Sequence, residues 1–192
     1  MTDTHVAAVC GSLRDESYTR VGLDRALEEA ELLGASTDLI DLREFELPVF
    51  DADRGDAGDA AELKARIDRA DAVLLGTPVY HGSYSGVLKN ALDYTGFDEF
   101  DGTTVGLLAV AGGGFPVTSL DHLRSVCRAL NAWVLPHQAA IPQARTKIED
   151  GRITDEGLDS RVATLGRRAV EYANIEPDPR TFESRENVGA DD

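Results

Sequence analysis

The stretch DAVLLGTPVYHGSYSGVLKNALDY, residues 71–94, changes character twice along its length. It begins with a continuous apolar run, which is typical of a short strand buried on both faces. It ends with Leu88, Ala91 and Leu92 at helical spacing. Between the two lie Thr-Pro, two tyrosines, a histidine and several small residues, more than the roughly two to six residues that such a connection needs. We therefore predict a strand, a helix and, between them, a loop that binds a ligand.

The rest of the chain repeats this alternation. Strands are predicted from apolar runs at residues 6–10, 71–76, 103–111 and 132–136, and a weaker, more exposed strand is predicted at residues 36–42. Helices are predicted from apolar spacing within residues 23–33, 60–70, 87–92, 120–130 and 158–172. This order indicates an α/β domain with a five-stranded parallel sheet covered by helices on both faces. Five strands favour the flavodoxin-like order 2-1-3-4-5, whose ligand crevice lies at the carboxyl ends of the first and third strands.

Length and charge limit the possible domain organisation and the possible partners. The chain has 192 residues, 42% of them hydrophobic, which suits one domain with a full core. We assign residues 1–176 to this domain and predict a disordered acidic tail at 177–192, which has little to bury. A net charge of −16 argues against nucleic acid and against anionic membrane surfaces as partners. No apolar run approaches the roughly eighteen residues of a membrane span.

The remaining composition concerns compartment and habitat. The start of the chain lacks the features of a secretory signal, and the two cysteines, Cys10 and Cys127, lie among apolar neighbours. These features predict a cytoplasmic protein with buried, reduced thiols. The four histidines show no metal-ligand spacing, so no metal site is predicted. Three lysines against sixteen arginines in an acidic chain favour a halophilic origin, the alternative being an arginine-biased genome.

The loop after the first strand, GSLRDESYTR (residues 11–20), has the composition of an anion site. Ser12, Ser17 and Thr19 offer hydroxyl donors. Arg14 adds a guanidinium, and the amides that open the next helix point outward, a combination that suits a phosphate. The alternative is that Ser17 only caps the helix while Arg14 lies in solvent. The loop lacks G-x-G-x-x-G, which disfavours a nicotinamide-binding Rossmann loop, and it lacks G-K-[ST], which excludes a Walker A loop.

The loop after the third strand has the composition of a wall for a flat ligand. Pro78 fixes the backbone angle at the end of the strand. The residues from Val79 to Gly82 then offer backbone amides, carbonyls and a ring edge to the crevice. The alternative is that Tyr80 and Tyr84 pack on the rim of the sheet and His81 is solvated.

The loop after the fourth strand, residues 111–115, contains three successive glycines. Glycines allow the backbone to approach a ligand closely, although glycine-rich strand ends also occur without one. An anion site and two walls thus meet in one crevice. The simplest ligand for all three is a mononucleotide with a planar ring system, and flavin mononucleotide (FMN) fits.

Two of these loops carry a family resemblance. GSLRDESYTR together with TPVYHGSYSGVLKNALDY resembles the NADPH-dependent FMN reductase family, whose pattern is roughly G-S-L-R-x-x-S-x-[NT] and T-P-x-Y-[NH]-x-S-x-x-G-x-L-K-N-x-[LI]-D. The resemblance runs from about Val6 to Ile141 and includes LPVFD and the three glycines. Two positions depart from it, because many members have Glu where Val79 stands and Asn where His81 stands. The flavodoxin-like fold of the family agrees with the predicted sheet.

The resemblance implies which residues hold the cofactor. The FMN phosphate would be held by Ser12, Arg14, Ser17, Tyr18 and Thr19. The isoalloxazine ring would be lined by Pro78, Val79, Tyr80, His81 and Gly82, with Gly112 and Gly113 on its other side. No residue is assigned as a catalytic acid or base, because hydride transfer is the cofactor's own chemistry. The resemblance also implies a homodimer or homotetramer.

The predicted function is an FMN-dependent NAD(P)H oxidoreductase. Hydride passes from NADPH or NADH to bound FMN, and electrons then pass to a second acceptor such as a flavin, a quinone, an azo compound or a metal oxyanion. The alternative is a flavodoxin-type electron carrier without pyridine nucleotide oxidation, although the T/S-x-T-G-x-T loop usual in such carriers is absent. A hydrolase that uses Ser12 or Ser83 is disfavoured because neither serine lies in a G-x-S-x-G motif.

Overall fold

A central parallel sheet organises the chain. The computed structural model describes residues 4–173 and 175; the predicted tail at 177–192 lies outside the described residues. Five strands follow the order β2-β1-β3-β4-β5, namely β1 (His5–Cys10), β2 (Ser36–Asp41), β3 (Ala72–Pro78), β4 (Thr104–Val110) and β5 (Trp133–Val134). All of these pairings are parallel, so the predicted flavodoxin-like order 2-1-3-4-5 is confirmed.

The fifth position of the sheet is shared by two short strands. Only Trp133 and Val134 of the predicted strand at 132–136 form β5, and a further strand, β6 (Ala139–Ile141), also pairs with β4. Leu135 still donates its amide to Val105 at 2.8 Å. Pro136 has no amide hydrogen to donate, which ends the pairing of this segment. The chain leaves the sheet there and returns at Ala139.

The described part of the chain also contains six α-helices, one hairpin and short 3-10 helices. The helices are α1 (Tyr18–Leu32), α2 (Ala60–Asp68), α3 (Gly86–Asp93), α4 (Phe97–Phe100), α5 (Val117–Ala129) and α6 (Glu156–Glu171). The hairpin joins β7 (Ile148–Glu149) to β8 (Arg152–Ile153) through Asp150 and Gly151, both with positive φ. The sequence analysis did not predict α4 or this hairpin, although Asp-Gly is a strong hairpin signal. None of the described helices has the length and hydropathy of a membrane span.

The helices cover both faces of the sheet, as predicted. Alternate residues of β1 point to opposite sides, so Val6, Ala8 and Cys10 pack with α1 and α6. Ala7 and Val9 pack with α2, α3 and α5 on the other side. Cys10 and Cys127 are both buried and unpaired. This packing leaves the carboxyl ends of β1, β3 and β4 at one open edge.

Candidate active site

The loops after β1, β3 and β4 converge on one cleft of about 250 Å3 at this edge. Its lining consists of Ser12, Arg14, Tyr18, Thr19, Pro78, Val79, Tyr80, Val110, Ala111, Gly112, Ala144 and Arg145. Most of the residues predicted from sequence are therefore brought together. The predicted residues Ser17, His81, Gly82 and Gly113 lie outside this lining.

The first loop has features of both interpretations that the sequence left open, an anion site and a simple helix cap. Ser17 caps α1, because its hydroxyl oxygen accepts the Arg20 backbone N–H at 3.2 Å. The Arg14 side chain is exposed, and within residues 4–173 no carboxylate pairs with it. Thr19 is only 2% exposed although it lines the cleft. In the same described range no hydrogen bond takes up the backbone N–H groups of residues 15–19, so this helix start retains donors for an anion.

A buried set of hydrogen bonds ties the first loop to the second. The Gly11 N–H donates to the Gly76 carbonyl at 2.8 Å, and the Ser85 hydroxyl donates to the Gly11 carbonyl at 2.6 Å. Ser85 also donates its backbone N–H to the Thr77 hydroxyl at 2.9 Å. A Cβ at Gly11 would lie 2.7 Å from the Cβ of Leu88. The glycine therefore allows the two loops to meet without a gap.

The second loop is a tight turn. Tyr80 and Ser83 exchange backbone hydrogen bonds of 3.0 and 3.1 Å, and the central residues His81 and Gly82 have φ of 50° and 80°. These values define a type I′ turn, whose two central positions favour glycine and asparagine. The turn presents Tyr80, which is 51% exposed, to the cleft, while His81 points into solvent at the tip.

Helix α5 holds this turn from outside. Thr118 donates its hydroxyl to the Gly82 carbonyl at 2.8 Å, and Nδ1 of His122 lies 2.9 Å from Oγ of Ser83. Sequence reasoning missed the Ser83–His122 pair, because its partners are 39 residues apart. Within the described residues no carboxylate hydrogen-bonds His122, and neither side chain lines the cleft. The pair thus fixes a turn and lacks the third group of a hydrolytic triad.

The left-handed backbone at position 81 limits which residues suit the turn. A left-handed backbone is costly for most side chains, while Asn and His adopt it more readily than others. We expect His81→Asn to keep or raise the free energy of unfolding by up to about 0.5 kcal/mol, and His81→Val to lower it by about 1–2 kcal/mol. Urea unfolding of the three proteins measures both effects. Equal stability of the Val variant and the unaltered protein would contradict a left-handed backbone at this position.

The third loop lies open on the cleft side. A Cβ placed on Gly112, Gly113 or Gly114 would meet no atom within 4 Å, and none of the three has a positive φ. The protein's own packing therefore does not require glycine there. A ligand that approaches the bare backbone closely does require it.

Arg145 is a cleft residue that sequence reasoning missed. It lies in a short 3-10 helix, Ala144–Thr146. This helix is held against the third loop because the Ala144 N–H donates to the Ala111 carbonyl at 3.0 Å and the Gln143 N–H donates to the Gly113 carbonyl at 2.9 Å. This segment follows β6, the strand that was not predicted. Had Ala139–Ile141 been identified as a strand, its carboxyl end would have indicated a further loop at the cleft.

The acidic connection between β2 and α2 packs against α3. Asn90 accepts the Phe50 N–H at 2.8 Å and donates to the Pro48 carbonyl at 2.8 Å. The Tyr94 hydroxyl donates to the same carbonyl at 3.0 Å. The motif residues of this helix thus hold the LPVF segment. Beside it lies an apolar groove of about 490 Å3, lined by Leu13, Leu42, Phe45, Leu47, Val49, Gly86, Val87, Lys89, Asn90 and Asp93.

The cysteines play no chemical part at the cleft. Burial raises the pKa of the Cys10 thiol at the end of β1, and it raises the pKa of Cys127 to about 12. Both thiols are therefore protonated at neutral pH and unreactive as nucleophiles. Within the described residues no cluster of three or more His, Cys, Asp or Glu side chains has the arrangement of a metal site.

Fold and cleft together define a flavodoxin-like protein whose crevice lies at the switch point of the sheet. Residues 4–146 match the NADPH-dependent FMN reductase family, and the chain belongs to that family. It is 39% identical over 119 residues to FMN-dependent NADPH-azoreductases of Staphylococcus aureus. That stretch is 60% of this chain and 63% of theirs, so the chain spans less than two thirds of the length of these relatives.

Solved structures agree on the fold. An NADH:FMN oxidoreductase in its apo form superposes with a TM-score of 0.73 at 22% identity, covering 97% of this chain and 100% of that one. A flavoenzyme NAD(P)H:(acceptor) oxidoreductase from Paracoccus denitrificans superposes with a TM-score of 0.73 at 25% identity, covering 88% and 97%. The NAD(P)H:quinone oxidoreductase from Methanothermobacter marburgensis gives 0.63 at 17% identity, covering 92% and 100%.

Proposed function

We propose that this protein is an FMN-dependent NAD(P)H oxidoreductase that passes electrons from the reduced flavin to a second small molecule. The observation that carries the proposal is the cleft itself. One end of the cleft has the exposed guanidinium of Arg14 and backbone N–H groups at the start of α1 that no described hydrogen bond takes up. The other end is bordered by the glycine loop, where the space beside the backbone is open. This is the layout that a phosphate linked to a flat ring system needs.

The residues fit FMN in two groups. The loop amides, with Ser12, Arg14 and Thr19, would hold the phosphate, supported by the Ser17 cap and by Tyr18. Pro78, Val79 and Tyr80 would line one side of the ring, the turn at His81 and Gly82 would close its rim, and Gly112 with Gly113 would flank the other side. When bound, FMN supplies the hydride and electron chemistry.

The cleft lining holds charge of one sign only. Among the residues that the structure describes, Arg14 and Arg145 are its two ionised side chains and no carboxylate lines it, although the chain as a whole carries −16. A cationic cleft on an acidic protein attracts phosphate-bearing ligands to this one place. The described part of the chain contributes no histidine, cysteine or acid to this lining, so we assign the protein the part of binding, orienting and excluding water.

The second acceptor belongs to the same proposal. The Staphylococcus aureus relatives are azoreductases and the Paracoccus denitrificans structure is that of an NAD(P)H:(acceptor) oxidoreductase. These names support an azo compound as the acceptor, and a quinone, a free flavin or a metal oxyanion would reach the flavin through the same open side of the cleft.

The visible spectrum tests the function. After reconstitution with FMN, the purified protein is expected to be yellow and to bleach on anaerobic addition of NADPH or NADH. Flavin that stays oxidised with both nucleotides and bleaches only with dithionite would establish the electron carrier instead. A protein that takes up no FMN would overturn both interpretations.

The apolar groove beside α3 supports a homo-oligomer. Val49 is 86% exposed and Leu13 is 55% exposed at its edge, and apolar patches of this kind are typical of subunit contacts. Sedimentation of the full chain distinguishes a dimer from a tetramer. Buried, unpaired cysteines support a cytoplasmic location, and the excess of acidic residues over lysines supports a halophilic origin.

A further inference from the structure

The Arg20 side chain is hydrogen-bonded to the backbone of the loop after β1 and does not point into the cleft. Its Nη1 donates to the Asp15 carbonyl at 2.9 Å and its Nη2 to the Arg14 carbonyl at 3.3 Å. Its Nε donates to Oδ2 of Asp41 at 2.9 Å. All three sides of one planar guanidinium are thus occupied by this protein's own acceptors, and Arg20 does not line the 250 Å3 cleft.

These bonds fix the direction of two loop amides. In a planar trans peptide the carbonyl and the following N–H point in opposite directions, and no described peptide bond is cis. Because the carbonyls of Arg14 and Asp15 face Arg20, the N–H groups of Asp15 and Glu16 face away from it. Within residues 4–173 no hydrogen bond takes up either of these N–H groups. Two free donors are therefore held in a fixed direction. Asp15 and Glu16 themselves lie outside the lining of the 250 Å3 cleft, between Arg14 and Tyr18, which are part of it.

Asp41 holds Arg20 in turn. Its carboxylate is 5% exposed and lies at the end of β2. Besides Arg20, it accepts from Nη2 of Arg43 at 2.8 Å and from the Arg43 backbone N–H at 3.1 Å. Arg43 also reaches the Asp15 carboxylate at 3.1 Å. The loop is thus fastened to the second strand through two arginines that share one buried acid.

Asp41 is ionised at neutral pH. Burial by itself raises the pKa of its carboxyl group, but the hydrogen bonds from Arg43 and the charge and hydrogen bond of Arg20 outweigh burial and lower it below its usual range. A permanent negative charge at this position keeps the guanidinium of Arg20 in one orientation.

We propose that Arg20, held by Asp41, is a positioning residue for phosphate recognition, which turns the Asp15 and Glu16 amides toward the phosphate of the flavin. This inference rests on the proposed function, because it names how that site recognises FMN. An arginine can promote phosphate binding through its charge alone or by holding the loop amides in one direction, and replacing Arg20 by lysine distinguishes the two. Lysine retains the charge but cannot bond two carbonyls and a carboxylate in one plane.

The test compares flavins with and without a phosphate. FMN and riboflavin are titrated against the apoprotein by flavin fluorescence for the unaltered chain, Arg20→Lys and Asp41→Asn. We expect Arg20→Lys to weaken FMN binding by about tenfold or more, since one aligned amide to a charged group accounts for roughly that factor. Asp41→Asn, which keeps an acceptor for Arg20, is expected to weaken it severalfold. Riboflavin binding is expected to change less than about twofold in both.

Arg25→Lys is the matched control. Arg25 lies on the same helix and is bonded to Asp159 at 3.0 Å and to Glu29 at 3.2 Å, away from the loop. It is expected to leave both flavin affinities unchanged, with a similar melting temperature to Arg20→Lys.

The outcomes distinguish the proposed function from the positioning role of Arg20. An unaltered protein that binds no FMN refutes the proposed function. FMN binding that Arg20→Lys and Asp41→Asn leave intact refutes the positioning role alone. Equal losses for FMN and riboflavin, with a lowered melting temperature, also refute it, because they show a general structural role. A selective loss of FMN affinity in either variant supports it.

Discussion

Gly112→Val is expected to abolish most of the flavin affinity while leaving the apoprotein as stable as before. The new side chain meets no protein atom within 4 Å of its Cβ, and Gly112 lines the cleft. A branched side chain there occupies the space that we assign to the flavin ring and removes the close approach to the backbone. We expect FMN affinity to fall by about 100-fold, since losing the ring contact costs roughly 2–3 kcal/mol. Unfolding free energy is expected to change by less than about 0.5 kcal/mol.

Gly114→Val provides the control for this variant. Gly114 is equally open, with no atom within 4 Å of a Cβ, but it does not line the cleft. Fluorescence titration of FMN and urea unfolding are measured on both proteins. Unchanged FMN affinity in Gly112→Val would show that the flavin ring does not pass this loop. A loss of equal size in both variants would show that the loop as a whole, and not this position, supports binding.

Gly166→Ala is expected to have the largest effect on stability. A Cβ at Gly166 in α6 would lie 1.9 Å from the carbonyl oxygen of Ala26 in α1 and 2.7 Å from its carbonyl carbon. Both are backbone atoms, so the two helices must move apart. We expect a loss of about 3 kcal/mol, the upper part of the range for overpacking. For a chain of this length that corresponds to roughly 6–12 °C in melting temperature.

The same helix offers the matched control. Gly157 lies near the start of α6, and a Cβ there would be 3.4 Å from Oδ1 of Asp155, an ordinary contact. Gly157→Ala is expected to raise stability by about 0.5 kcal/mol, because alanine favours the helix. Thermal unfolding of both variants measures the difference. Equal melting temperatures would mean that α1 and α6 do not cross closely at Gly166 in solution.

Local signals were sufficient wherever neighbouring residues decide the conformation. Gly34 directly follows the first helical segment, and it has the left-handed φ of 88° typical of a glycine at a helix end while donating its amide to the Glu31 carbonyl at 2.9 Å. Ser17 precedes that helix and caps it. The apolar runs of β1, β3 and β4 identified the centre of the sheet because a strand buried on both faces must be apolar throughout, whereas the edge strand β2 is only partly buried. Carboxyl ends of parallel strands share one edge, so these runs also indicated which loops meet.

Long-range pairing was decided only by the tertiary structure. The roles of Arg20 and His122 depend on Asp41 and Ser83, which lie 21 and 39 residues away. Gly166 is required by a backbone oxygen 140 residues earlier in the chain, at Ala26. None of these residues is unusual in its own sequence neighbourhood. The sequence by itself thus determined the first four strands, the order of the sheet and the three loops, because periodicity and turn chemistry act within a few residues. Three features arise only when distant segments pack: the orientation of the loop amides, the hydrogen bonds that hold the turn after β3, and the close crossing of α1 and α6. Each depends on a contact that no local pattern encodes.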